Sequence, residues 1–167
     1  MSKWKQWAKE LAVMAVAAVI LATVVGYLRA PSFEDAALPE VQVSKLFGMA
    51  YDSSVKPDEP YVLHFWATWC PVCRAEAGNI DALAKEAKVI TVAVKSGGLQ
   101  KIDAYKREHG LSFPVINDQN GAVAEAFRIN VFPTTIIVGR DGKVFWAETG
   151  YTTTWGLKFR LWLADLF

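Results

Sequence analysis

The sequence predicts an α/β domain built on a mixed sheet flanked by helices and preceded by one N-terminal transmembrane helix. Three observations carry that expectation: β-branched apolar runs alternate with helix-patterned segments from residue 61 onward, an Asp-Gly turn joins the last two runs, and eighteen residues from Leu11 to Leu28 carry no charge. Alternation of runs and helices builds parallel βαβ units. An Asp-Gly turn joins antiparallel neighbours, so the sheet mixes both senses.

The uncharged run comes first. As a helix it is about 27 Å long, close to the thickness of a bilayer's hydrocarbon core. Trp4, Trp7 and Tyr27 bracket it, as interfacial aromatics do. Lys3, Lys5 and Lys9 precede it and Arg29 alone follows it before Lys45, which places the N-terminus in the cytoplasm and the bulk of the chain outside. A cleaved signal peptide fits less well, because Arg29 and Pro31 crowd Ala30, the one plausible small residue at the exit. The organisation expected is an anchor over residues 1–30, a linker over 31–40 and one domain over 41–167.

Within the domain, Pro31 to Pro60 mixes linker residues with short apolar pieces such as Val41 to Val43, and reads as a strand or hairpin lead-in. Tyr61 to Trp66 is a buried strand, Pro71 to Ala87 a helix and Val89 to Val94 a second strand. A helix from Leu99 to His109, a strand at Phe113 to Ile116 and a helix from Gly121 to Phe127 continue the alternation. Thr135 to Val138 and Val144 to Glu148 form a hairpin through Gly139-Arg140-Asp141-Gly142. The closing helix, Thr154 to Phe167, places Leu157, Leu161, Ala164 and Leu166 near one side. Residues 31–167 hold 14 basic and 16 acidic side chains, so no basic stripe points to nucleic acid as a partner.

Chemistry concentrates in Trp69-Cys70-Pro71-Val72-Cys73, which contains both cysteines of the chain. Pro71 suits the first helical position, where a missing N–H costs nothing. Cys70 then sits at the cap, where the peptide dipoles favour a thiolate, and Cys73 lies on the same face of the first turn. Cys70 is therefore expected as the exposed attacking thiolate and Cys73 as the more buried resolving thiol. A static disulfide enclosing two residues gains little. His64 and His109 stand at spacings that match no zinc pattern, and the remaining alternative is two-coordinate Cu(I) on the lone dithiol. His109 reads as a favourable charge at a helix C-terminus.

Phe65 to Glu76, together with Phe113-Pro114-Val115-Ile116-Asn117-Asp118 and Val131-Phe132-Pro133-Thr134-Thr135, resembles the thioredoxin superfamily, and in particular its membrane-anchored extracytoplasmic branch of the TlpA, ResA and CcmG type. The resemblance spans about residues 41–167, and the CPVC centre is similar to that of the suppressor-of-copper-sensitivity D proteins. It implies a thioredoxin-like fold, a bacterial inner-membrane location with a periplasmic domain, and thiol-disulfide exchange with client protein thiols or disulfides. It also implies a membrane electron donor, and clients such as apocytochrome c thiols or copper-stressed proteins. No bound cofactor is needed for such exchange. Pro133 takes from the resemblance the role of a cis-proline facing the dithiol, preceded by Phe132, where a client backbone is received. Trp69 is the better candidate for an apolar docking surface, whereas Trp66 equally suits the core.

Glu76 follows Cys73 by three residues, so the helix carries its carboxylate back toward that sulfur, and the branch has a glutamate at this place. It is a candidate proton shuttle for Cys73. Two positions depart from the wider superfamily. His64 stands where a buried aspartate is usual, as a proton relay or a hydrogen-bonded core residue. Gly78 stands where a helix-kinking proline is common.

Overall fold

The protein is described here by a computed structural model covering residues 3–29, 31 and 58–166. The expected 31–40 linker, the domain start at 41 and the lead-in strand at Val41 to Val43 lie outside the described residues. Helix α1 spans Lys3–Arg29. Its described side chains from Trp4 to Val24 are exposed, and only Val25 and Gly26 are partly covered. Among the described residues no helix is long and apolar enough to cross a membrane, and the side chains of residues 19, 22, 23 and 27, inside the uncharged run, fall outside that description. The transmembrane reading is therefore carried by the sequence alone.

The domain alternates as expected: β1 (Tyr61–Trp66), α2 (Pro71–Ala84), β2 (Val89–Val94), α3 (Leu99–Glu108), β3 (Val115–Asp118), α4 (Ala122–Ala126), β4 (Thr134–Val138), β5 (Val144–Thr149) and α5 (Thr154–Leu166). The sheet order is β3-β2-β1-β4-β5. The βαβ connections make β1-β2 and β2-β3 parallel, and β4 turns the sheet mixed by pairing antiparallel with both β1 and β5. This is the thioredoxin-like arrangement. Period-two alternation sorts β1 between two cores. Val62 and Trp66 join Ile80, Leu83, Ile102, Ile137 and Leu157. Leu63 and Phe65 join Val92, Val123, Phe127, Ile136 and Val138 on the other face. Trp66 thus belongs to the core, against Tyr105 and Phe113.

Several boundaries differ from expectation by one to three residues, three of them near the site or its supports. The first helix of the domain stops at Ala84, not Ala87. Strand β3 starts at Val115, not Phe113, because the Ser112 and Phe113 amides donate to Asp81 Oδ1 at 2.5 and 3.1 Å and Pro114 has no N–H to give. Helix α4 begins after Gly121, whose φ of 83° is a left-handed entry that glycine tolerates. Helix α2 runs unbroken across Gly78 through its fourteen residues.

In α5 the expectation needs a correction. Leu157 and Ala164 are buried, but Leu166 is 58% exposed, since nine residues beyond Leu157 is about half a turn away. The outward face instead carries Trp155, Phe159, Trp162 and Leu166. At the other end of this region, a Cβ on Gly26 would meet the Thr149 carbonyl oxygen at 2.6 Å, so only glycine allows α1 to approach β5 this closely.

Asp81 ties α2 to the β3 approach. Burial pushes its carboxyl up, but bonds from the Ser112 amide, Lys85, the Ser112 hydroxyl and the Phe113 amide outweigh that and hold it at about 2, below its ordinary 3.8. Its contribution is present above pH 3.8 and is lost as pH falls toward 2. Asp81→Ala is expected to cost on the order of 2 kcal/mol at pH 7, read from urea unfolding. The difference from the parent protein shrinks below pH 3.

Candidate active site

Strand β1 is the central strand, and its C-terminal end delivers Ala67 to Cys70 to the edge where α2 begins. The turn is fixed from three sides: the Cys70 amide donates to the Ala67 carbonyl at 3.2 Å, the Thr68 amide to Ser96 Oγ at 3.0 Å, and the Trp69 indole to the Lys95 carbonyl at 3.2 Å. Cys70 is the N-cap, with φ −90° and ψ 115°, and Pro71 occupies the first turn. The Cys73 amide donates to Cys70 Sγ at 3.1 Å, so this sulfur accepts one of the amides that a helix start leaves unpaired. The two cysteines are joined as a disulfide with their Cα atoms 5.3 Å apart.

Both cysteines are buried, Cys70 at 5% exposure and Cys73 at 2%, so the expected contrast between an exposed and a buried thiol is small. Their surroundings make the difference. Cys70 Sγ lies 3.7 Å from the Phe132 carbonyl oxygen. Trp69, 58% exposed, sets its ring edge-on to Phe132 at 5.7 Å, and Val72 is exposed beside it. Phe132-Pro133 is a cis peptide. The loop is held by the Gly150 amide donating to the Pro133 carbonyl at 2.9 Å and by the Thr134 hydroxyl donating to the Val131 carbonyl at 2.8 Å. Cys70, Trp69, Phe132 and Pro133 therefore converge on one edge.

Glu76 lies beneath, fully buried. Its Oε1 accepts the Thr152 amide at 2.9 Å and the Thr152 hydroxyl. Its Oε2 has no hydrogen-bond partner among the described residues and faces His64 Nε2 at 4.0 Å. Burial raises the Glu76 carboxyl to about 7 against the lowering effect of the two Thr152 bonds, and the Glu148 carboxylate adds to the rise. His64 is also buried, which lowers its imidazole to about 3. Its Nδ1 lies 3.0 Å from Thr135 Oγ1, the residue directly across the β1-β4 pairing. His109, by contrast, stacks on Tyr105 and bonds its carbonyl, away from the dithiol.

Sequence reasoning missed Thr152, Asn79 and Thr135. Asn79 donates to the Thr152 carbonyl at 2.8 Å and to the Tyr151 hydroxyl at 2.9 Å, which straps residues 151–152 over Glu76. Contacts between residues more than seventy apart leave no local signal. Thr135 alone was inferable, by pairing the strand after Pro133 antiparallel to β1. Among the described residues no three His, Cys, Asp or Glu side chains gather as metal ligands do.

Comparison with known proteins agrees with this geometry. Residues 30–147 match the AhpC/TSA family. A thioredoxin-like protein of Haemophilus influenzae is 32% identical over 151 residues, 89% of either chain. The thiol-disulfide oxidoreductase ResA of Oceanobacillus iheyensis is 33% identical over 116 residues, 65% of this chain and 60% of that relative. In fold, a secreted Mycobacterium tuberculosis disulfide oxidoreductase homologous to Escherichia coli DsbE superimposes with a TM-score of 0.58 at 23% identity, over 71% of this chain and 91% of that one.

The raised Glu76 carboxyl has a consequence for stability. Its folded value of about 7 lies above the ordinary 4.5, so its favourable contribution is complete below pH 4.5 and is lost as pH rises through 7. Glu76→Gln, which does not ionise, is expected to gain on the oxidised parent protein by about 3 kcal/mol between pH 4 and pH 8. Urea unfolding at both pH values checks it, and an unchanged difference would count against the buried carboxyl titrating there.

Proposed function

The chain belongs to the AhpC/TSA family, and from that premise we propose that it is a thiol-disulfide oxidoreductase working through Cys70 and Cys73. The observation that carries the reading is the Cys70 sulfur at the start of α2, accepting the Cys73 amide. Reduced, that sulfur is a thiolate stabilised by the helix end. It attacks a client disulfide, a mixed disulfide forms between Cys70 and one client sulfur, and the other client sulfur leaves as thiolate. Cys73 then gives up its proton and attacks Cys70 Sγ, which forms the intramolecular disulfide and frees the second client thiol. Two electrons pass to the client. Glu76 is the proton acceptor for Cys73, a role supported by its place three residues along the helix and by a carboxyl poised near 7. Trp69, Phe132 and Pro133 form the client-docking edge beside Cys70, supported by the ring contact and the nearness of the Phe132 carbonyl.

The domain is tethered to the outer face of a bacterial inner membrane by residues 11–28, with the N-terminus in the cytoplasm. Supporting this are the uncharged run and the lysines before it. In an oxidising compartment a dithiol needs a source of electrons, so the protein acts as a reductant recharged by a membrane dithiol donor. Its clients are a narrow set of extracytoplasmic thiol proteins, apocytochrome c or copper-stressed proteins among them. A Cu(I)-sequestering role for the same two sulfurs is the competitor.

Cys73→Ala is expected to accumulate a mixed disulfide through Cys70, which non-reducing electrophoresis of membranes from expressing cells displays. Cys70→Ala accumulates none, and either variant loses at least about a thousandfold in disulfide reduction. Turnover of a model disulfide with weak Cu(I) affinity favours exchange. Tight Cu(I) binding without turnover would favour the competitor.

A further inference from the structure

The buried pair beneath the dithiol contains a residue with no assigned role. Glu76 Oε1 is saturated by the Thr152 amide and hydroxyl, whereas Oε2 is buried and has no hydrogen-bond partner among the described residues. A carboxyl that cycles between its two protonation states makes opposite demands at that oxygen. Ionised, Oε2 needs a donor; protonated, it carries the proton, since Oε1 is already occupied by two donors, and then needs an acceptor. A buried oxygen lacking either loses its solvation without replacement. Among the described residues the ionisable group that faces Oε2 is His64 Nε2, at 4.0 Å, about 1 Å beyond bonding distance.

Neutral imidazole meets both demands, because one nitrogen donates while the other accepts. Burial keeps His64 neutral. The far nitrogen, Nδ1, lies against the Thr135 hydroxyl, and a hydroxyl serves equally as donor or acceptor. We propose that His64 is the positioning residue for Glu76, exchanging tautomers against Thr135 so that Nε2 donates to the ionised carboxylate and accepts from the protonated acid. The inference rests on the thiol-disulfide reading above and assigns the reason a histidine stands at this strand position.

The proton count closes. On resolution the Cys73 thiol proton passes to Glu76 Oε2, and the Cys73 thiolate attacks Cys70 Sγ as the client thiolate leaves and takes a proton from water. Before transfer the imidazole holds its single N–H at Nε2, and Thr135 donates to Nδ1. Afterwards the N–H is at Nδ1, Thr135 accepts, and Nε2 accepts from Glu76. The change of tautomer releases one proton at Nε2 and regains one at Nδ1 by exchange with water, so the ring is neutral before and after and the exchange adds no net proton. Other groups bearing on the pair are the Thr152 bonds and Glu148 on β5, whose charge acts on Glu76 and is itself paired with Arg160 on α5, while Cys73 stands three residues before Glu76 on α2.

The test uses the full chain in lipid nanodiscs with nitrogen-15 histidine, His109 being assigned through His109→Gln. The His64 Nδ1 and Nε2 shifts are expected to exchange protonated and unprotonated character across the Glu76 midpoint near pH 7, and to stay flat in Glu76→Gln. One tautomer held from pH 5 to pH 9 while Glu76 titrates overturns the proposal. In the second arm, His64→Leu moves the pH midpoint of Cys73 alkylation upward by at least one unit, tenfold in proton affinity, and His64→Gln, whose amide both donates and accepts, stays within about half a unit. A folded His64→Leu with an unmoved midpoint overturns it too, and the nitrogen spectra of the parent protein decide the matter if that variant does not fold. Failure of the exchange reading looks different: Cys73→Ala then traps no client, whatever the histidine spectra show.

Discussion

The 3.1 Å bond from the Cys73 amide to the Cys70 sulfur joins helix stability to redox chemistry. A helix start leaves amides unpaired, and an oxygen-bearing side chain usually accepts them. Here a sulfur does so, which places the electronegative atom where the helix dipole is positive. The remainder of the site serves that position. The central strand β1 delivers the cap, Ser96 and the Lys95 carbonyl fix the turn before it, and the Pro133 loop closes against it from β4. Loss of any of these supports would loosen the sulfur from the helix end before it unfolded the sheet.

Below that cap, polar groups occupy a layer that hydrophobic packing would ordinarily claim. Trp66, Ile80, Ile137 and Leu157 form the core around it. Glu76, His64, Thr135 and Thr152 are buried in the same region, on α2, β1, β4 and the segment after β5. Burial sets both ionisable groups toward their neutral forms, the carboxyl upward and the imidazole downward. The two groups therefore share the interior without a full ion pair, whose desolvation would cost more than the attraction returns.

Much of this was legible in the sequence because the signals were local. Pro71 after Cys70 and the β-branched runs fixed the cap, the strands and most helices, and the motif with the distant Pro133 fixed the fold family. What was not legible depended on contacts across the fold. Strand β3 shifted because Asp81, thirty-one residues earlier, takes the Ser112 amide. Thr152 reaches Glu76 across seventy-six residues, and no spacing rule announces it. The outward aromatic face of α5 is not legible either, since Trp155, Phe159 and Trp162 recur at helical spacing as core residues also do. The similar burial of the two cysteines was hidden as well, because motif order indicates which sulfur caps the helix and not how deeply each side chain sits.

The account stands or falls on the Cys70 thiolate at the helix start. The direct measurement is the pH dependence of alkylation of each cysteine in the reduced full-length protein, resolved by peptide mass. The account predicts that Cys70 reacts first and titrates well below the ordinary thiol value of about 8.5, with Cys73 slower and titrating higher. Equal rates at the two positions, both following a midpoint near 8.5, would contradict it.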